Sequence, residues 1–362
     1  MMLGFVHETL GQRVRFGTGT AREAVREEIG LRGAHRVLVV SGNRETGLTD
    51  DVAKGLADSI RFSEIVQHVP IASAERARKV ASEFSADLIV CIGGGSTTGL
   101  AKAVALTTGI PIVAVPTTFA GSEATNVWGL TEASRKATGV DPRVLPSVVI
   151  YDAELTMSLP VDLAASSGLN ALAHCVDSLW APRTDPINQA LAVEGIRALS
   201  SGLRGIVADP TAVGGYESAL FGTYLSAVAF ASSGSGMHHK ICHVLGGTFN
   251  LPHAPTHAIV LPYVTAFNAE AVPVANARLA AAFGSLDGLS GLEALRTDLS
   301  APRSLASIGL KESDIPHAAE LCLAAIPRSN PRPFGLADVE RILTAAWAGS
   351  PAVELSEKGN AP

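Results

Sequence analysis

The chain has 362 residues, 28 Lys and Arg against 34 Asp and Glu for a formal charge of −6, and is 47 % hydrophobic but only 17 % charged. That length supports two medium domains with sizeable cores better than one large one. The acidic balance excludes nucleic acid as a general partner, because phosphate backbones require a basic footprint, although a local positive pocket remains allowed.

Met1–Phe5 lacks the basic start of a signal peptide, and no run reaches the ~18 apolar residues of a membrane span, so neither membrane insertion nor export is expected. Cys91, Cys175, Cys242 and Cys322 are scattered without a paired framework and read as reduced, buried thiols. A cytoplasmic protein is the expectation.

The first 150 residues alternate apolar runs with amphipathic ones. Arg36–Gly42 reads as a buried strand, with a helical stretch around Asp50–Ile60 after it. Ile65–Val69 reads as a second strand, Ala74–Phe84 as a helix, and Asp87–Ile92 as a third strand. Thr98–Leu106 follows as a helix and Ile112–Val115 as a fourth strand. Continuous apolar strands separated by helices indicate a parallel sheet covered on both faces. From Leu159 onward the segments are long, alanine-rich and apolar at helical spacing: Pro160–Trp180, Pro186–Leu203, Gly215–Ser232 and Ala269–Phe283. The expected organisation is an α/β N-terminal dinucleotide-binding domain over 1–158, an all-helical C-terminal domain over 159–350, and a loose tail over 351–362.

Gly93-Gly94-Gly95-Ser96-Thr97-Thr98 follows a strand and opens a helix, where backbone N–H groups and the helix dipole favour a phosphate. Lys102, one turn in, would add a cation. Thr117, Thr118 and Ser122 sit after the neighbouring strand, and paired loops at strand carboxyl ends are where an open α/β sheet binds its ligand. After Val37–Val40 the chain offers Ser41, Gly42, Asn43 and Arg44 rather than a carboxylate. With nothing there to repel a 2′-phosphate, NADPH should be accepted alongside NADH.

Five of the 10 histidines crowd into one stretch: His238, His239, His243, His253 and His257. His239 and His243 are i, i+4 on a helix, as are Asn170 and His174 on another, so each pair shares a face. Three histidines and a carboxylate at such positions would hold a divalent cation. Any one of them taken singly is more often a satisfied core or surface histidine. Asp177 could orient a histidine, though a solvated helix face is the commoner role for such a residue.

These motifs resemble the iron-containing (group III) alcohol dehydrogenases, related in fold to dehydroquinate synthase. The resemblance covers nearly the whole chain: Phe16-Gly17-Thr18-Gly19, Gly93–Ser96, Pro116-Thr117-Thr118, Gly121-Ser122-Glu123, Asn170–His174, and His239-x3-His243 with Leu245-Gly246-Gly247 and Asn250-Leu251-Pro252-His253. In metal-dependent members the positions matching Asn170, His174, His239 and His253 are an Asp and three His that bind the metal, and the position matching Gly99 is usually Asp. This chain departs at both acidic positions, which looks like the maleylacetate reductase branch. The resemblance therefore implies reduction of maleylacetate to 3-oxoadipate with NADH or NADPH, no required metal, and a homodimer.

Such a substrate carries two carboxylates and an enone. Hydride addition β to the ketone builds an enolate, so the site needs donors at that oxygen and a proton source for the adjacent carbon. Histidines, with ordinary pKa about 6.5, suit both tasks. His243 is expected as proton donor or enolate stabiliser, assisted by His253. His174 and His239 would bind carboxylate or orient the substrate, and the roles among the four are interchangeable on this argument. His174, His239, His243, His253 and Lys240 would supply positive charge. His238 and His257 match no family ligand position and read as bystanders. The alternatives are a metal-dependent alcohol dehydrogenase using Asn170 as a weak ligand, a nucleotide-binding protein that has lost catalysis, and a dehydroquinate-synthase-like lyase.

Overall fold

The computed structural model describes residues 4–43, 46–53, 58–132 and 135–357, which form two compact units. One is Leu10–Leu159; the other joins Pro160–Pro362 with Met1–Thr9.

The first unit is built on the strands β1 (Arg13–Phe16), β2 (Val37–Ser41), β3 (Ser59–Phe62), β4 (Leu88–Gly93), β5 (Ile112–Pro116) and β8 (Val148–Tyr151). They form a six-stranded sheet, order β1-β8-β5-β4-β2-β3, in which every pairing is parallel. Side chains alternate across it. Leu38, Val40, Ile89, Cys91, Ile112 and Ala114 pack with helices α3 (Ile71–Glu83) and α4 (Gly95–Thr108). Val37, Val39, Leu88, Val90, Val113 and Ile150 pack on the other face against α1 (Ala21–Leu31). Burial on both faces is why these strands read as unbroken apolar runs, each buried Leu, Ile or Val contributing about 1.5–3 kcal/mol. From β2 the chain steps outward to β3, then returns to β4 and runs the other way through β5. The crevice outside the ends of β2 and β4 is therefore the topological switch point.

The second strand differs from expectation: it is Ser59–Phe62, whereas Ile65–Val69 turns. His68 and Val69 have φ of 64° and 48°, left-handed values that no strand accommodates. The helix expected around Asp50–Ile60 begins earlier, as α2 (Thr46–Ala53). Sequence patterning also missed β1, β8, the short helix α5 (Ala153–Thr156) after it, and a hairpin of β6 (Val127–Glu132) and β7 (Arg135–Val140).

The second unit is helical: α6 (Val161–Ser178), α7 (Pro186–Ala208), α8 (Val213–Ser233), α9 (Met237–Phe249), α10 (His253–Ala269), α11 (Pro273–Phe283), α12 (Gly288–Asp298), α13 (Ile315–Ala325), α14 (Leu336–Ala348) and the short α15 (Glu354–Glu357). Glycine lets α7 and α8 approach closely, since a Cβ on Gly202 would lie 2.5 Å from the Ala219 nitrogen. The expected loose tail is corrected in part: Ala352 and Leu355 are buried in the core of α9, α10, α13 and α14. Two apolar side chains there reward docking. No helix among the described residues is long and apolar enough to cross a membrane.

Candidate active site

In the α/β unit, Gly94 is the N-cap of α4 and makes no side-chain cap bond. The glycines are required by their surroundings. A Cβ on Gly93, which has φ 150°, would lie 2.4 Å from Thr97 Oγ1; one on Gly94 would lie 2.9 Å from Thr118 Cγ2; one on Gly95 would lie 3.1 Å from Ala120 Cβ. The backbone of Gly94–Ser96 is half-exposed, as are Thr118 and Ser122, whereas Thr97, Thr98 and Thr117 are buried beneath it. This is a cradle that side chains would fill, at the positive end of a 14-residue helix, and it fits a dinucleotide's phosphates.

Lys102 does not serve as the expected phosphate cation. Its ammonium is fully buried and donates to the carbonyl oxygens of Ser122 (2.5 Å), Thr125 (2.7 Å) and Val127 (2.9 Å) and to Thr125 Oγ1 (3.0 Å). It braces the 122–127 segment behind the cradle, and burial lowers its pKa to about 7. Asn43 is exposed, and its carbonyl oxygen accepts from Thr46 Oγ1; Arg44 lies outside the described residues. A cation that sequence reasoning missed is close by: Arg61 of β3 donates to the Gly42 carbonyl oxygen at 2.7 Å, and its Nε is buried without a partner.

In the helical unit, α6, α9 and α10 bring the histidines together. His174 and His239 stack with ring centroids 4.8 Å apart, and Phe230 of α8 packs on both at 4.7 and 4.4 Å. His243 lies 6.1 Å from His239 and 6.4 Å from His253. His243 and His253 are half-exposed, whereas His174, His239, His238 and His257 are buried, so the cluster has an accessible rim and a dry floor.

Asp177 is not a solvated face. It is fully buried and accepts from His239 Nδ1–H (2.8 Å) and from the backbone N–H groups of Gly236 (2.8 Å) and His239 (3.4 Å). It thereby anchors the start of α9 and fixes the His239 tautomer, leaving Nε2 buried and unpartnered. Gly236 permits this, because a Cβ there would lie 2.4 Å from Asp177 Oδ1. The sequence signal for Asp177 was its position one turn beyond His174 on the same helix face.

His238 and His257 are not bystanders in position. His238 Nε2 and His257 Nδ1 are 2.9 Å apart, and the His257 ring is 4.4 Å from His253 and 5.0 Å from His239. The expectation that the cluster brings positive charge is corrected at His174 and His239. Burial lowers His174 to about 4 and His238 to about 3 and holds His239 and His257 well below their ordinary value, so these four are neutral donors or acceptors near pH 7. Burial also pushes Asp177 up to about 7.

The residues at the family's metal positions offer a dication a weaker site than a carboxylate set would, with three histidines and a neutral amide. Asn170 supplies an amide where charge is needed, and its Oδ1 is buried and unpartnered. Among the described residues, the group of three whose ligand atoms approach within 4.8 Å is His238, Cys242 and His257, not His174, His239 and His253. In that group the two facing nitrogens already share a proton with each other. All four cysteines are free and buried, with Cys91 and Cys322 pushed up to about 12.

A parallel sheet ending in a phosphate cradle, followed by helices carrying a histidine cluster, defines a class, and sequence comparison agrees. The iron-containing alcohol dehydrogenase family matches residues 11–153, and the C-terminal part of the Fe-containing alcohol dehydrogenase family matches 164–347. The chain belongs to the iron-containing alcohol dehydrogenase family. Within it, the chain is 44 % identical over 351 residues to a maleylacetate reductase of Sphingobium indicum, covering 96 % of this chain and 99 % of that one. Among solved structures it is similar to an iron-containing alcohol dehydrogenase from Corynebacterium glutamicum, 56 % identical with TM-score 0.96, covering 98 % of this chain and 100 % of the other. A maleylacetate reductase from a Rhizobium species is 41 % identical with TM-score 0.90, covering 96 % and 99 %.

Proposed function

We propose that this chain catalyses the NADH- or NADPH-dependent reduction of the C=C of maleylacetate to 3-oxoadipate, without a required metal. The observation that carries the reading is Asn170 beside His174 on α6: the family's metal carboxylate is replaced by a neutral amide with a buried, unpartnered Oδ1. Full-length similarity to maleylacetate reductases supports the substrate. The reading carries with it a homodimer and a cytoplasmic location.

The bound nicotinamide supplies the hydride. Gly93, Gly94, Gly95 and Ser96 hold the dinucleotide's phosphates, with Thr118 and Ser122 on the rim, Asn43 near the ribose, and Thr97, Thr98 and Thr117 packed behind. Arg61 of β3, which donates to the Gly42 carbonyl oxygen just beyond β2, supports acceptance of a 2′-phosphate. In the histidine cluster, His243 and His253 on the half-exposed rim protonate the carbon beside the ketone and stabilise the enolate. His239, fixed through Nδ1 by Asp177, and His174, stacked on it, orient the substrate and keep water out.

The test is NADH oxidation with maleylacetate in chelator and with added iron or zinc. Turnover indifferent to chelator is the expected result. Activity lost in chelator, or seen only with simple aldehydes, would return the chain to metal-dependent alcohol oxidation.

A further inference from the structure

One histidine that no family ligand position accounts for lies deep in the cluster, one turn from the start of a helix. α10 begins at His253 immediately after Pro252, and no side chain caps it. Thr256 N–H reaches the Pro252 carbonyl oxygen at 3.1 Å, and Pro255 has no N–H. The Ala254 N–H therefore stands at the helix tip with no acceptor inside the helix. Residues 253–255 are half-buried, so a ligand can reach this tip.

His257 lies on the same face of α10, its ring 4.4 Å from that of His253. It is fully buried. Its Nδ1 is engaged with His238 Nε2 at 2.9 Å, and its Nε2, at the far end of the ring, is buried with no partner. Buried polar atoms are almost always satisfied, so the unpartnered His257 Nε2 is a group free to take a ligand. Because the His257 ring packs on His253, the first residue of this 17-residue helix, the positive helix end favours an anion there rather than a cation.

We propose that the α10 N-terminus and His257 Nε2 form a carboxylate subsite, in which His257 contacts the substrate and His238 positions it. The inference rests on the dicarboxylate reading above. For His257 to donate from Nε2, its Nδ1 must accept, so His238 donates from Nε2; only this pairing of tautomers arms the subsite. Cys242 Sγ, 3.7 Å from His238 Nε2, packs against the donating side of the pair. The helix end supplies the positive field, and no imidazolium is required.

The experiment compares wild type, His257→Leu and His257→Gln, with NADH fluorescence titration and thermal unfolding as controls of fold. Adipate and its monomethyl ester serve as inhibitors that differ by one carboxylate. The expected result for His257→Leu is a rise of about 10–100-fold in KM for maleylacetate and in Ki for adipate, the loss of one charge-assisted hydrogen bond, with NADH affinity held within about 2-fold. The preference for adipate over its monoester shrinks in step, and His257→Gln, which can donate from a similar position, recovers most of the loss. Unchanged KM and Ki in His257→Leu, or an equal loss for adipate and monoester, would overturn the subsite. Should His257→Leu lose NADH binding, His257→Asn carries the same comparison. A wild type that ignores maleylacetate yet binds adipate through His257 would overturn the function while leaving the subsite standing. A wild type that binds no adipate would overturn the subsite.

Discussion

At the phosphate cradle the backbone acts and side chains are kept away; at the histidine cluster the backbone is hidden inside helices and side chains do the chemistry. The cradle occupies consecutive residues, Gly93–Ser96, with Thr118 and Ser122 shortly after. The cluster is gathered from three helices, with Asp177 and His239 62 positions apart. The first is a local device whose glycines answer to specific neighbours, Thr97, Thr118 and Ala120. The second depends on packing, and its histidines are tuned by burial far from their behaviour in water. Cofactor binding and chemistry should therefore fail independently.

The sharpest break comes from His243→Asn. It should lower kcat by about 10²–10⁴-fold, the usual loss on removing a general acid, with NADPH affinity by fluorescence unchanged; a kcat within a few-fold of wild type would remove His243 from the chemistry. Asp177→Asn takes the charge from the group that orients His239 and should cost about 10–100-fold in kcat, again with the cradle intact. Solvent-exposed behaviour of Asp177, with no kinetic effect, would contradict its placement.

The converse experiment is Gly94→Ala, which pushes a Cβ to 2.9 Å from Thr118 Cγ2. Cofactor affinity should fall by roughly 10-fold, as a misfit of 1–3 kcal/mol implies, while the histidine chemistry at saturating cofactor holds. Arg61→Ala should give the smallest kinetic effect, a few-fold weaker NADPH binding with NADH unaltered; equal weakening of both would make Arg61 structural only.

Burial of the cluster also predicts a pH profile for stability. His174 is lowered to about 4 and His238 to about 3, from 6.5 in the unfolded chain. Below pH 6.5 the unfolded state takes up protons that the folded state refuses, so stability present above that pH is lost as pH falls toward 4. The slope is at most ~1.4 kcal/mol per pH unit for each such histidine, and Asp177, pushed up to about 7 by burial, opposes it by a similar amount over the same window. Thermal unfolding from pH 8 to pH 4.5 should show this decline, and His238→Gln should flatten it. A melting temperature indifferent to pH would mean the cluster is wetter than the structure has it.

Much of this was legible in the chain itself, because short-range physics writes periodic patterns. Buried parallel strands appear as apolar runs such as Leu88–Ile92, helices as apolar repeats, and a phosphate turn as glycines between the two. The order of histidines, and Asn170 where related enzymes hold an acid, were visible for the same reason. Short strands of mixed polarity such as Arg13–Phe16 carried no such signature, and Ile65–Val69 looked extended although His68 and Val69 take left-handed φ, their carbonyl oxygens accepting from Thr131 of β6. What only the tertiary structure decided was which groups lose water. Lys102 turned from cofactor cation to internal brace, Asp177 from surface acid to histidine anchor, and His257 from bystander to the floor of the cluster, because burial and partners depend on residues far away in sequence that no local pattern records.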